Sequence, residues 1–352
     1  MTPLSRIIRT MIETDGPMGI DRFMTVALAH PQHGYYITRD PLGTAGDFTT
    51  APEISQVFGE LIGVWAVAQW QAMGEPQSFL LVELGPGRGT LMADLLRAAQ
   101  VRPHFGKAAK LHLIETSPVL RAAQAARLGP GATWHFSLES LPAGPALVIA
   151  NEFFDALPIR QFECRGGRWF ERLVGLQGGG LKLGLAAQPV KLGLSGQDGA
   201  VMEVAPEREA VAEALGDRLK AQGGAALVID YGHTVTAPGD TLQAVRAHGF
   251  AAVLERPGEA DITSHVDFEQ LGHAFRRGGA VVPPVMRQGD FLTAMGLAAR
   301  VERLAGQLQG GDRENFLSAA RRLAEEAAMG ALFKVMTVHS PRTPAPYPFG
   351  VS

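Results

Sequence analysis

Phe79-Leu80-Leu81-Val82-Glu83-Leu84-Gly85-Pro86-Gly87-Arg88-Gly89-Thr90 is the stretch that decides the fold. Residues 79–84 are a short apolar run, the pattern of a strand buried on both faces. Residues 91–100 follow with helical spacing. Glycines where a strand hands over to a helix let the backbone pass close to a ligand, and the helix start offers free N–H groups. The spacing is G-x-G-x-G. A dinucleotide fingerprint would need glycine in place of Thr90, and a P-loop would need a lysine that this run lacks.

Working outward, residues 111–115, 133–136 and 146–150 read as further strands. Residues 118–128 read as a helix stopped by Gly129-Pro130-Gly131. This β-α-β-α-β order predicts an α/β protein with a right-handed, doubly wound parallel sheet, Rossmann-like in plan. Residues 160–164, 168–176 and 181–186 alternate apolar with polar between glycine-rich turns, which predicts an inserted antiparallel β layer at about 159–203. Helices are expected at 206–222, 266–276 and 313–329, and strands at 225–230 and 332–338. Upstream, residues 1–77 read as mainly helical, interrupted by an irregular loop from His30 to Ala51. Loops this long are functional or disordered more often than not. From Pro52 a helix with one buried face is expected, through Val57, Phe58, Leu61 and Trp65. The expected organisation is a helical region with a loop or lid over 1–77 and a Rossmann-like domain over 78–352.

Composition narrows the function. In 352 residues there is one cysteine, Cys164, so an internal disulfide framework and a multi-cysteine zinc module are excluded. A net charge of −3 argues against a dedicated nucleic-acid binder. No apolar run reaches the roughly 20 residues that span a bilayer. The N-terminus lacks the apolar core and cleavage site of a secretory signal. It reads as an amphipathic first helix, and the reducing cytoplasm is the expected compartment.

Ligands of α/β sheets bind at the carboxyl ends of strands. Glu115 ends the second strand of the motif, where a carboxylate accepts both hydroxyls of a ribose. Glu83 lies on the same rim. With Gly85, Gly87 and Gly89 these residues describe an S-adenosylmethionine site. A structural glycine turn and an NAD site remain alternatives. After the fourth strand comes Asn151-Glu152-Phe153-Phe154-Asp155. Asn151 suits the donor's amino-acid end. Glu152 and Asp155 are the candidate catalytic pair, two carboxylates beside two aromatic rings, as an arginine guanidinium requires. Capping of a helix start is the structural alternative for both. Asp47 and Glu53, in Gly46-Asp47-Phe48-Thr49-Thr50-Ala51-Pro52-Glu53, are candidates for the donor's charged end, and helix capping explains them equally well. Asp230 is a further strand-end carboxylate. His265, just before a predicted helix, reads as a capping or buried hydrogen-bonding group, with general-base chemistry as its functional alternative. His30 and His33 lack further ligands for a metal. Cys164 reads as inert packing.

Several runs match one family across nearly the whole chain: HPQHGYY (30–36), GDFTTAPEISQVFGELIG (46–63), ELGPGRGTLMADLL (83–96), IETSP (114–118), NEFFDALPIRQF (151–162), IDYG (229–232), GEADITSHVDF (258–268), QGDFL (288–292) and MGALFKVM (329–336). The chain resembles the MidA-like S-adenosylmethionine-dependent methyltransferases. The resemblance implies a class I methyltransferase fold with Gly85, Gly87 and Gly89 on the donor. From the mitochondrial members it implies symmetric dimethylation of an arginine on a respiratory complex I subunit. The chain begins near the family's first helix, so a bacterial cytoplasmic member is expected, with mitochondrial relatives. The expected partners are a protein acceptor, with a complex I subunit as candidate, and a homodimer; nucleic acid and membrane insertion are not expected. A non-catalytic assembly factor and a small-molecule methyltransferase are the rival readings.

Overall fold

The computed structural model describes residues 2–39 and 50–350, and Phe79–Leu84 lies inside its larger sheet. Neighbours in that sheet run Met286–Arg287, Phe333–His339, Gly224–His233, Ala146–Asn151, Phe79–Leu84, Ala109–Ile114, Ala132–His135. From Gly224–His233 to Ala132–His135 every pairing is parallel. Strand order reverses at Phe79–Leu84, so the carboxyl ends of Phe79–Leu84 and Ala146–Asn151 flank the switch point where open α/β sheets bind ligands. Phe333–His339 pairs antiparallel with Gly224–His233, and Met286–Arg287 antiparallel with Phe333–His339. The sheet is thus doubly wound as expected and mixed at one edge.

Contacts divide the described chain into two compact units. One comprises Thr49–Phe154, Val211–Thr234 and Val266–Ser352; the other comprises Met1–Phe48, Asp155–Ala210 and Val235–His265.

The first unit holds the larger sheet. One face of it, with Leu81, Leu147, Ile149, Leu227, Ile229 and Val335, packs against Val57, Phe58, Leu61 and Trp65 of the helix Gln56–Ala72 and against Leu91 and Leu95 of Thr90–Ala99. The helix expected from Pro52 is broken. Ala51–Ile54 forms one turn, Ser55 is extended at φ −156°, and Ser55 Oγ then accepts from Val57 N (3.3 Å) to cap the longer helix.

The second unit holds the expected antiparallel layer, in the order Met18–Gly19, Arg168–Gln177, Arg160–Arg165, Val201–Val204, with Gly180–Val190 pairing Arg168–Gln177. Two residues of the N-terminal segment therefore join the insertion. Ile8, Ile12, Phe23 and Met24 of the helices Pro3–Asp15 and Ile20–Ala29 pack with Ile159, Val174 and Ile262. A small sheet of Gln243–Arg246, Gly249–Ala251 and Asp261–Thr263 was not expected. Arg208 is 4% exposed and donates to the backbone oxygens of His265 (2.7 Å) and Asp155 (2.9 Å) and to Ser264 Oγ (2.6 Å). It gathers two chain segments around one guanidinium.

Candidate active site

The glycine turn follows Phe79–Leu84 directly. Gly85, Gly87 and Gly89 have φ of +59°, +53° and +76°, the left-handed region that side chains with a Cβ enter at a cost. At Gly85 a Cβ would also press on Phe153 Cδ2 at 3.1 Å. Gly89 is the N-cap of the helix Thr90–Ala99. Gln124 is fully buried, and its Nε2 donates to Gly87 O (2.7 Å) and to Glu115 Oε2 (3.1 Å), while its Oε1 accepts from Trp134 Nε1 (2.8 Å). One amide thus couples the glycine turn to the strand-end carboxylate. Sequence reading missed Gln124; its signal is a polar residue on the sheet-facing side of the helix Pro118–Leu128. Glu115 Oε1 accepts from Ser117 N (2.8 Å). Burial raises the Glu115 carboxyl, against the lowering effect of the Ser117, Gln124 and Thr116 hydrogen bonds.

Glu83 is 3% exposed. Burial, then the nearby charge of Glu115, pushes its carboxyl up to about 8, so it holds its proton at neutral pH unless a cation meets it. The linkage has a definite sign. The folded value lies above the unfolded value, so the contribution to stability is complete below about pH 4.5 and is lost as pH rises through about 8. Between pH 6 and 9 the ligand-free protein should lose about 2–3 kcal/mol of unfolding free energy that the Glu83→Gln variant does not lose. Urea unfolding at both pH values measures this; parallel losses in the two proteins would refute it.

The turn Asn151–Phe154 closes the other side of the switch point. Glu152 has φ +50°, unusual for a residue with a side chain. Its N–H donates to Ile229 O (2.9 Å), and Phe154 N donates to Asp230 Oδ2 (3.1 Å). Asp230, fully buried, also accepts from Tyr231 N at Oδ1 (3.0 Å). These bonds hold a backbone that would otherwise relax, and strain of this kind clusters where a side chain must be aimed. Glu152 Oε1 accepts from Ala51 N (3.3 Å) and from Asn151 Nδ2 (3.2 Å). Asp230, a rim candidate in the sequence, is engaged with this backbone.

Glu53 Oε1 accepts from Thr90 Oγ1, and its Oε2 lies 3.9 Å from Arg88 Nη1. Glu53 is thereby tied to the start of the glycine-turn helix. Asp47 lies outside the described residues. Asp155 belongs to the other unit, where it is 5% exposed; its carbonyl accepts from Ser264 N (3.1 Å). The helix expected to begin at Val266 begins at Phe268. Asp267, not His265, caps it, accepting from Glu269 N (3.0 Å) and Gln270 N (3.1 Å). His265 N donates to Thr241 Oγ1 (2.9 Å). Cys164 is fully buried, with Sγ 3.2 Å from Gly196 O. Among the described residues there is no group of three metal-ligating side chains, and no helix is long and apolar enough to cross a membrane.

Residues 61–285 match the model of a family described as a putative S-adenosyl-L-methionine-dependent methyltransferase. The chain belongs to this family. It is 36% identical to the Drosophila melanogaster homologue of the mitochondrial protein arginine methyltransferase NDUFAF7, over 95% of this chain and 84% of that one. Its identity to the human protein of that name is also 36%, over 86% of this chain and 76% of that one. A Burkholderia thailandensis crystal structure bound to S-adenosyl-homocysteine superposes with a TM-score of 0.84 at 25% identity, covering 97% of this chain and 93% of that one. The chain is therefore an S-adenosyl-L-methionine-dependent methyltransferase. Its own residues fit that donor. Glu83 Oε2 and Asn151 Oδ1 are buried oxygens with no hydrogen-bond partner among the described residues, and buried polar atoms left so are costly unless a ligand completes them. They flank a turn whose glycines admit a close-lying molecule.

Proposed function

We propose that the chain methylates an arginine guanidinium on a protein, with a respiratory complex I subunit as the acceptor. We assign donor contacts to Glu83, Gly85, Gly87, Gly89, Glu115 and Asn151, with Glu53 bracing the turn, and acceptor contacts to Glu152. The observation that carries this reading is Glu152 itself: a carboxylate aimed by a strained backbone at the switch point, next to aromatic residues. The curated relatives named protein arginine methyltransferases support it.

When bound, S-adenosyl-L-methionine supplies a methyl group on a sulfonium that leaves as a neutral thioether. Glu152 supplies what the acceptor lacks. Arginine stays protonated in water and its nitrogens share one delocalised charge. A carboxylate accepting two guanidinium N–H bonds fixes which nitrogen faces the donor. Methylation of that nitrogen leaves one proton too many, and a carboxylate oxygen takes it. Ala51 N and Asn151 Nδ2 hold Oε1, so the side chain is oriented before the acceptor arrives.

The test is transfer of labelled methyl from S-adenosyl-L-methionine into an extract of cells lacking the chain, followed by acid hydrolysis of the protein fraction. Label in methylarginines, and in a band that comigrates with a complex I subunit, is the expected result. Label confined to small molecules would overturn the protein-arginine reading.

A further inference from the structure

We infer that Tyr231, backed by the buried ring of Phe333, forms an aromatic shelf that receives the acceptor arginine beside Glu152; this rests on the protein-arginine reading above. Tyr231 and Phe333 sit directly opposite each other across the antiparallel pair, with ring centroids 5.5 Å apart and planes at 63°. On the other side of the Gly224–His233 strand, Ile229 aligns with Asn151. Tyr231 therefore lies two residues beyond that row, at the carboxyl end of the strand. Ile229, two residues before it, is one strand spacing, about 4.8 Å, from the strand that ends at Asn151.

The side chains share a face. Leu227 and Ile229 point into the core that holds Leu147 and Ile149, and Tyr231 continues that alternation, packed against the same core. Phe333 and Val335 belong to it as well. So does Ala51, whose N–H holds Glu152 Oε1. The two rings thus share a core face with Ala51, the residue whose N–H holds the Glu152 carboxylate. Glu152 is also tied by its N–H to Ile229, two residues before Tyr231. Tyr231 is only half-buried, and the preceding neighbour of Phe333, Leu332, is 46% exposed. Phe333 is 6% exposed, so Tyr231 is the ring of the pair that keeps a solvent-facing part. Lys334 Nζ donates to Ala331 O (2.6 Å) and Leu332 O (3.0 Å), which fixes the segment leading into Phe333.

The chemistry of this arrangement suits one side chain best. A guanidinium is flat, weakly hydrated and stacks on aromatic faces, while its edge forks onto a carboxylate. The three methylenes behind it are apolar, as an aromatic ring is.

The test is calorimetric titration of the full chain, saturated with S-adenosylhomocysteine, with an acetylated, amidated Gly-Ser-Gly-Arg-Gly-Ser-Gly peptide and its glutamine counterpart. The wild type should prefer the arginine peptide. Tyr231→Leu should weaken that peptide roughly tenfold or more, Tyr231→Phe should keep it within about threefold, and both should bind S-adenosylhomocysteine as the wild type does, which controls for folding. Unchanged arginine-peptide affinity in Tyr231→Leu, alongside weakened affinity in Glu152→Gln, would overturn the shelf and leave the proposed function standing. Equal binding of the two peptides by the wild type would overturn both.

Discussion

Replacing Glu152 with glutamine should lower kcat about a thousandfold while S-adenosylhomocysteine affinity stays within about threefold. Glutamine has nearly the same shape, and its Oε1 still accepts from Ala51 N and Asn151 Nδ2. The left-handed backbone at φ +50° and the bond to Ile229 O are untouched. What disappears is the charge that orients a guanidinium and the oxygen that takes its proton. Positioned proton acceptors contribute about 10²–10⁴ in rate, and loss of the fork also misplaces the attacking nitrogen. Steady-state methyl transfer and a calorimetric titration of the same preparation measure the two halves of the expectation. Near-normal kcat in the variant would remove Glu152 from the acceptor's chemistry. Lost S-adenosylhomocysteine binding would make it a donor residue instead.

Local signals carried much of this architecture. Phe79–Leu84 is bounded in the structure as the apolar run bounds it, and Pro118–Leu128 and Pro206–Gln222 both start at a proline suited to a first helical turn. The direction of Phe333–His339 was not readable, because periodicity records burial and not orientation. The sheet built on Gln243–Arg246, Gly249–Ala251 and Asp261–Thr263 has strands of three or four residues, too short for alternation to declare itself. The helix expected over 313–329 leaves helical geometry after Ala324, and Ala328 has φ −118° and ψ −123°; its apolar spacing persists through the break.

The candidate site divides in the same way. The strand-end positions of Glu83 and Glu115 and the turn at the three glycines were legible because strand ends and turns are local. The partnership of Asp230 with Phe154 N joins positions 76 residues apart, and that of Gln124 with Gly87 joins positions 37 apart. Such pairings arise from the tertiary fold, and no spacing in the chain announces them. The same holds for the ring pair Tyr231 and Phe333, which only the antiparallel register brings together.

Gly87→Val carries the second large expectation. Gly87 has φ +53°, a conformation that a β-branched residue adopts only as an outlier, at about 1–2 kcal/mol or more. Its carbonyl also accepts from Gln124, which in turn holds Glu115, so a shift of the turn is passed to the strand-end carboxylate. The fold should survive, because the substitution lies in a turn and not among the buried side chains of the sheet. Donor affinity should not.

The most direct measurement of the central claim, that this turn and these strand ends hold the methyl donor, is calorimetric titration of S-adenosylhomocysteine into wild type and Gly87→Val, each checked for a cooperative thermal transition. The account predicts saturable binding to the wild type and an affinity at least a hundredfold weaker in the folded variant. Equal affinity in the two proteins, or no binding by a well-folded wild type, would contradict it.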